Sequence, residues 1–316
     1  MAGLTHVALR SLIAGFGGCG LYTSEMLSCR AVVHETPERS VYLRRTPAER
    51  PFFWQLVGNE PEAMAKAVRH LERISPPDGF DINMGCGEPR IRNSGAGCGL
   101  MRDAGNARRV TAACRAATAL PLTAKLRLGW EESADDMMVF AKMLQDEGID
   151  AVTLHPRLAK ERFTRRARWR YIAMLKRELA VPVIGNGDIL SAPEVAARFE
   201  ETGCDGIMIG RLAAASPWIF AEIAGLIDPA AISLNSVYAE FARLLEEHFP
   251  PERRLGRLKE FTIYFARNFQ FGHNLATRVQ NASTMNEAKS VAGEFFEMHG
   301  SRCHTDSGTD PTGAKA

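Results

Sequence analysis

Short apolar runs alternate with longer amphipathic stretches over the chain up to Gly210. The apolar runs have the length and alternation of β-strands, and the stretches between them have helical periodicity. Strict alternation of strands and helices predicts a parallel sheet with crossover helices. The predicted strands are Leu21–Thr23, Phe52–Val57, Phe80–Met84, Leu122–Leu126, Ala151–Leu154, Val181–Ile184 and Gly206–Ile209, and the clearest helices are Glu60–Ile74, Ala107–Thr118, Ser133–Glu147 and Ala192–Thr202.

The predicted strands are one short of a (β/α)₈ barrel, the TIM-barrel fold. The missing strand is the first, because the chain opens with the turn-like segment Met1–Thr5 and reaches its first apolar strand pattern only at Leu21. The pattern therefore predicts a TIM barrel with a truncated first strand over residues 1–232.

A different pattern follows Gly210. The apolar positions from Leu234 to Met298 have helical spacing only, and Pro250-Pro251 separates the first helix from the second. These observations predict a small helical domain over residues 233–300. Residues 301–316 are polar and contain glycine, and we expect them to form a frayed tail.

The amino-acid composition mainly excludes certain classes of protein. The 316 residues are 46% hydrophobic, which is enough for a large core. The 7 cysteines include no Cys-x-x-Cys pair, which argues against zinc ribbons and disulfide frameworks and for a reducing compartment. The chain has no signal-peptide pattern and no apolar stretch long enough to span a membrane. We expect a cytoplasmic monomer with no metal site.

The strand at Phe80–Met84 leads directly to a candidate catalytic residue, Cys86. Its apolar side chains share one face, whereas Asp81 and Asn83 share the other, and Gly85 then breaks the pattern. The carboxyl end of a strand is where α/β enzymes place their chemistry. A free cysteine is more often a buried apolar residue, but polar groups at the ends of the other strands favour the catalytic interpretation.

Three other strands carry polar residues that need partners. Gln55 lies within an apolar strand, where an unpaired amide costs free energy. Lys125 and Arg127 share one face of a later strand, and two cations directed into a barrel require an anionic or electron-rich ligand. His155 ends the next strand and could be either a structural residue or a ligand-binding one.

Two glycine-containing turns follow the last two strands. They are Gly185-Asn186-Gly187-Asp188 and Gly210-Arg211. In TIM barrels the loops after these strands bind phosphate, because glycine lets backbone N–H groups approach an anion. An acid repels phosphate, so we expect Asp188 to accept hydrogen bonds from ligand hydroxyls or to cap a helix.

The segment from Arg157 to Arg170 carries seven cations and a single acid, Glu161. Charge runs are usually solvated helix faces. The scarcity of acids here favours contacts to RNA phosphates instead, and we assign these to Arg165, Arg166 and Arg168. A second basic patch is expected at Arg253, Arg254, Arg257 and Lys259.

Together these motifs resemble the tRNA-dihydrouridine synthases. The resemblance covers the barrel part of the chain, and the Asn-Met-Gly-Cys element with the later Lys-x-Arg-x-Gly-Trp is its most specific feature. In order, the matching motifs are Met1-Ala2-Gly3-Leu4-Thr5, Gln55-Leu56-Val57-Gly58, Asp81-Ile82-Asn83-Met84-Gly85-Cys86, Lys125-Leu126-Arg127-Leu128-Gly129-Trp130, His155-Pro156-Arg157, Gly185-Asn186-Gly187-Asp188 and Gly210-Arg211.

The resemblance implies an FMN-binding barrel followed by a helical RNA-binding domain. It implies NADPH-dependent reduction of the C5–C6 bond of a uridine in tRNA, with hydride from flavin N5 to C6 and a proton from Cys86 to C5. Lys125 would stabilise negative charge on the reduced flavin. The expected FMN contacts are Gln55, Lys125 and His155 around the ring and ribityl chain, Asn186, Gly187, Asp188, Gly210 and Arg211 near the phosphate, and also Met1, Ala2, Gly3 and Asn83.

The chain departs from the family pattern in three places. Gly87 follows Cys86 where the family has proline. The first strand and the proline before Met1 are absent. After His155 the family usually has glycine and aspartate before a tryptophan, whereas here Thr164-Arg165-Arg166-Ala167-Arg168 precedes Trp169.

Three other functions are compatible with parts of this sequence. An FMN barrel that reduces a small molecule would not need the arginine-rich segment or the helical domain. An RNA-binding protein with a decayed active site would account for the truncated start and Gly87. A flavin-free phosphate-binding barrel, such as a lyase, would account for the glycine turns alone.

Overall fold

The computed structural model describes residues 1, 3–161 and 165–300. The expected contact at Ala2, the cation Arg162 and the predicted tail at 301–316 lie outside the described residues. The strands are β1 (Tyr22–Thr23), β2 (Leu27–Ser28), β3 (Phe52–Val57), β4 (Gly79–Met84), β5 (Leu122–Gly129), β6 (Ala151–Leu158), β7 (Val183–Asn186) and β8 (Gly206–Met208).

Helices cover the sheet and form the carboxyl-terminal part of the chain. Short 3₁₀ segments lie at Val41–Leu43, Gly97–Arg102, Pro229–Ala231 and Ala266–Asn268. The α-helices are α1 (Val7–Phe16), α2 (Cys29–Val32), α3 (Pro61–Ile74), α4 (Pro89–Asn93), α5 (Ala104–Arg115), α6 (Ala134–Asp146), α7 (Arg170–Glu178), α8 (Ala192–Thr202), α9 (Arg211–Ala215), α10 (Ile219–Ile223), α11 (Leu234–His248), α12 (Pro251–Phe265), α13 (Gly272–Asn281) and α14 (Met285–His299).

The sheet is parallel throughout and follows the order β1-β3-β4-β5-β6-β7-β8. The two short strands β1 and β2 pair one after the other with β3, at Tyr22↔Phe52 and Leu27↔Leu56. Within the described residues, β1 and β8 are the two ends of the path and do not pair with each other. This arrangement confirms the predicted TIM-barrel class with one strand lacking.

The amino-terminal segment lies across the open side of the sheet. The Gly3 N–H donates to the carboxylate of Glu25, which follows β1. On the opposite side, a Cβ built on Gly3 would lie 2.9 Å from Glu260 Oε2, and one built on Gly210 would lie 3.7 Å from Met1 Sδ. The segment thus fills the space that separates β1 from the loop after β8.

Several element bounds differ from the sequence predictions. Strands β5 and β6 continue past Leu126 and Leu154. Their register shifts between Arg127 and Gly129, and pairing resumes where Gly129 lies opposite Leu158. Helix α1 was not predicted, since its buried residues extend around much of its surface and leave only a weak amphipathic pattern. Helix α7 was also missed, because it begins at the end of the cationic run.

Helices α11–α14 pack on one another, and α11 and α12 also pack against helices from earlier in the chain. Helix α11 begins after Ser233, whose hydroxyl accepts from the Ser236 N–H at 3.3 Å, and ends before Pro250. It packs on α1, while α12 packs on α9. Phe241 and Phe261 stack with their ring centroids 3.8 Å apart. Among the described helices, none has the length and apolar character needed to cross a membrane.

Candidate active site

Cys86 is held at the barrel rim by its backbone. The Asn83 side chain at the end of β4 accepts from the Cys86 N–H at 2.9 Å and from the Gly85 N–H at 3.2 Å. The Cys86 carbonyl accepts from the Cys98 N–H at 3.0 Å. The thiol itself is half-buried. The loop after β4 therefore positions the thiol through hydrogen bonds on both sides of the residue.

A buried polar chain crosses β3, β4 and β5 below this thiol. Asn83 donates to Gln55 at 2.8 Å, and Gln55 donates to Asp81 at 2.7 Å. Thr123 completes the chain by donating to Asp81 at 2.6 Å. Burial raises the pKa of Asp81, although the bonds from Thr123 and Gln55 lower it. Gln55 and Asn83 are thus fixed in orientation. Thr123 was missed because nothing in its strand pattern distinguishes it from a structural residue.

Lys125 and Arg127 bond to neutral groups. Lys125 Nζ donates to Asn186 Oδ1 at 3.0 Å, and Asn186 in turn donates to the Met208 carbonyl at 2.8 Å. Burial, followed by the charge of Arg127, lowers the pKa of Lys125 to about 8. Arg127 Nε donates to the Gly85 carbonyl at 3.1 Å. Within the described residues, neither cation forms an ion pair, so both leave positive charge at the barrel mouth.

His155 lies among cations and is neutral. Burial, followed by the charges of Lys125, Arg127, Arg157 and Arg211, lowers its pKa to about 2. Arg157 Nη1 lies 2.8 Å from His155 Nε2. Because a guanidinium can only donate, Nε2 is the acceptor and the ring proton lies on Nδ1.

Asp188 bonds to two arginines and a backbone N–H. Both of its carboxylate oxygens lie 2.6 Å from Arg157 Nη2, and Oδ1 accepts from Arg211 at 3.1 Å. The Ala167 N–H also donates to it at 2.7 Å. Burial acts to raise its pKa, but the bonds from Arg157 and Ala167 lower it below its usual value. The helix-cap alternative is wrong, because α8 begins after Ser191.

The turn at Gly187 requires glycine. Its φ is +122°, and a Cβ there would lie 2.9 Å from His155 Cδ2. The Gly187 carbonyl accepts from Trp169 Nε1 at 3.0 Å, which fixes the turn from the outside. The Gly187 turn, His155 and Arg211 therefore come together at the carboxyl ends of β6–β8. This set of donors fits an anionic group with hydroxyls beside it, such as the ribityl phosphate of FMN.

The cationic run is better compensated than its sequence indicates. Arg168 forms ion pairs with Glu161 at 2.6 Å and with Glu132 at 3.2 Å, and Arg170 pairs with Glu132 at 2.6 Å. The expected scarcity of acids is therefore wrong, because Glu132 and Asp188 come from other parts of the chain. These ion pairs remove the reason for expecting Arg168 to contact RNA.

The other predicted RNA contacts have different surroundings. Arg165 and Arg166 are exposed, and they stay predictions. In the second patch, Arg254 donates to the Phe249 carbonyl at 2.7 Å, and the Arg257 guanidinium lies 4.2 Å from the centre of the Phe249 ring. These two arginines stabilise the start of α12.

The sequence model of the dihydrouridine synthase (Dus) family matches residues 1–299. The chain belongs to the dihydrouridine synthase family. This dihydrouridine synthase is 31% identical over 293 residues to a probable tRNA-dihydrouridine synthase of Aquifex aeolicus, with 91% of each chain covered. It is 34% identical over 250 residues to tRNA-dihydrouridine synthase B of Yersinia pestis, with 78% of this chain and 77% of the relative covered.

Solved structures support the fold of the synthase. Histamine dehydrogenase from Rhizobium sp. 4-9 superposes with a TM-score of 0.54 at 15% identity, covering 76% of this chain and 46% of the other. TcOYE with pHBA also has a TM-score of 0.54, at 10% identity, covering 70% of this chain and 83% of the other. At such low identity these similarities concern the barrel architecture alone.

Proposed function

We propose that this synthase reduces uridine in tRNA to 5,6-dihydrouridine, with FMN as cofactor and NADPH as reductant, in the cytoplasm. The observation that carries the proposal is the anchored Cys86 thiol beside a barrel mouth where, among the described residues, Lys125 and Arg127 bond to neutral groups only. Unneutralised cations at that depth favour an anionic, electron-rich ligand. The family membership supports the reaction class.

Different residues around the mouth would contact different parts of the cofactor. Arg211, Gly187 and Gly210 suit its phosphate, and His155 lies beside the Gly187 turn. Lys125 extends from β5 to Asn186, where its charge would stabilise a reduced flavin ring. Bound FMN would supply the hydride from N5 to uracil C6, and NADPH would reduce the flavin again.

Cys86 would supply the proton. In this step the S–H bond breaks and a C5–H bond forms, while the electron pair of the C5–C6 double bond becomes that bond. A group that donates a proton must stay within hydrogen-bond reach of its acceptor, which the fixed backbone of Cys86 favours.

NADPH oxidation by the purified, FMN-loaded protein tests this proposal. We expect oxidation to become fast only when tRNA is present. Fast oxidation with a small enone and no response to tRNA would instead support a small-molecule reductase. A protein that takes up no FMN would exclude the flavin chemistry altogether and support a phosphate-binding barrel.

A further inference from the structure

A cluster of three cations surrounds the ring of Trp130 at the edge of the barrel mouth. The Arg102 guanidinium lies 3.4 Å from the ring centre, Arg92 lies 5.8 Å away, and the Lys160 ammonium lies 5.9 Å away. We call these four residues the Trp130 cluster. Arg102 and Lys160 are exposed, and Arg92 is half-buried. Of these residues, only Lys160 belongs to the cationic segment from Arg157 to Arg170.

The Trp130 cluster is connected to the Cys86 loop by hydrogen bonds. Trp130 Nε1 donates to the Cys98 carbonyl at 3.2 Å, and the Cys98 N–H donates to the Cys86 carbonyl at 3.0 Å. Trp130 directly follows β5, which carries Lys125 and Arg127. The cluster therefore borders the place where a substrate base would enter.

Within residues 1, 3–161 and 165–300, nothing neutralises the charges of the Trp130 cluster. No carboxylate in the described part of the chain forms an ion pair with its three cations, in contrast to Arg168 and Arg170, which pair with Glu132. The buried Nε of Arg92 also has no hydrogen-bond partner among these residues. Stacking on an aromatic ring orders a guanidinium without cancelling its charge, so its N–H groups stay available.

We propose that the Trp130 cluster binds RNA phosphates next to the target uridine. This inference rests on the proposed function, because it takes tRNA as the substrate. A base that leaves its stack to enter a pocket leaves its flanking phosphates at the pocket rim. Ordered arginines with free N–H groups recognise phosphate through two parallel bonds. Arg102 is the principal contact, and Trp130 positions it.

Binding of an unmodified tRNA transcript without NADPH tests this inference. Fluorescence anisotropy would give Kd over a series of salt concentrations. We expect Arg102→Gln to weaken binding about three- to tenfold and to reduce the slope of log Kd against log salt by about 1. Arg69→Gln, which removes an exposed charge from α3 on the outside of the barrel, should leave both quantities unchanged.

Variants of the ring separate positioning from folding. Trp130→Phe keeps a platform for Arg102 and should bind tRNA nearly as the wild type does, whereas Trp130→Leu should resemble Arg102→Gln. Thermal unfolding midpoints would identify a Trp130 variant that fails to fold. In that case Arg102→Gln alone tests the inference, because Arg102 is exposed. Wild-type Kd and slope in Arg102→Gln, or no binding of the transcript by the wild type, would overturn the inference.

The outcome is separable from that of the proposed function. A wild-type protein that reduces tRNA uridine while Arg102→Gln binds normally would refute only the role of the cluster. Binding that depends on Arg102 without any formation of dihydrouridine would refute only the reaction.

Discussion

Cys86 and Cys98 belong to the same loop but have different surroundings. Cys86 is half-buried at the rim, whereas Cys98 is fully buried. Burial raises the pKa of the Cys98 thiol. Its backbone N–H donates to the Cys86 carbonyl, and its own carbonyl accepts from Trp130 Nε1. At the scale of single residues, Cys86 is thus the thiol with access to a substrate, and Cys98 supports it.

Replacing the two cysteines separately should distinguish these roles. We expect Cys86→Ala to bind FMN and accept electrons from NADPH normally, but to transfer them to tRNA about two to four orders of magnitude more slowly. Cys98→Ala should transfer at close to the wild-type rate. Single-turnover oxidation of the reduced protein by tRNA measures both. A Cys98-dependent reaction that tolerates Cys86→Ala would reverse the assignment.

Lys125 should make FMN binding depend on pH. Because burial lowers its pKa to about 8, the ammonium loses its proton as the pH rises through that value, and its attraction for an anionic ligand is lost. We expect FMN affinity to fall above pH 8 in the wild type. Lys125→Met should bind FMN weakly at every pH. Fluorescence titration of the flavin-free protein measures this, and a wild-type affinity constant across that range would contradict it.

At the scale of elements, two loops pack closely beside Cys86. A Cβ built on Gly87 would lie 2.6 Å from the Ala159 carbonyl oxygen, at the end of β6. The Ala159 N–H in turn donates to the Gly129 carbonyl at 2.7 Å. Gly87 therefore allows the loop after β6 to pack against the Cys86 loop, which a residue with a side chain at this position would prevent.

A methyl group at position 87 should disturb this packing. We expect Gly87→Ala to lower the free energy of unfolding by about 1 to 3 kcal/mol and to slow transfer to tRNA. Gly293→Ala is a suitable control, since nothing lies within 4 Å of its Cβ position on α14. That change should raise stability by about 0.5 to 1 kcal/mol. Urea unfolding measures both, and an unaffected Gly87→Ala protein would show that the loops can separate freely.

Local sequence patterns predicted the strands and helices better than they predicted contacts between residues far apart in the sequence. The alternation in Phe80–Met84 and the helical periodicity of Glu60–Ile74 predicted β4 and α3 to within one residue. The pairing of Arg168 with Glu132 could not be predicted, because 36 residues separate them and only the barrel brings them together. For the same reason the sequence indicated positive charge at Arg157 without revealing that Asp188 bonds to it.

At the scale of the whole molecule, His6 joins the barrel to the helical domain. Its ring lies edge-on to Phe249, with centroids 4.8 Å apart, and parallel to Phe241 at 6.1 Å. Burial, followed by the nearby charges of Arg257 and Arg10, lowers the pKa of His6 well below its usual value. The contact of His6 with α11 and Phe249 therefore contains a neutral histidine.

Acid should weaken this contact. Below about pH 6.5 the unfolded chain takes up a proton on His6 that the folded protein excludes, so stability falls with pH. Between about pH 7.5 and 5.5 we expect the wild type to lose about 1 to 1.5 kcal/mol more unfolding free energy than His6→Leu. His273→Gln, on the exposed surface of α13, should retain the wild-type loss. Equal losses in the wild type and His6→Leu would contradict this role.

The most direct test of the proposed function is nucleoside analysis of tRNA after incubation with the protein. The tRNA should lack dihydrouridine at the start, and FMN and NADPH should both be present. We predict that one uridine or more gains two hydrogen atoms, with one NADPH consumed for each, and that Cys86→Ala yields far less product in the same time. Unchanged tRNA from a protein that binds FMN and oxidises NADPH would contradict the proposed function.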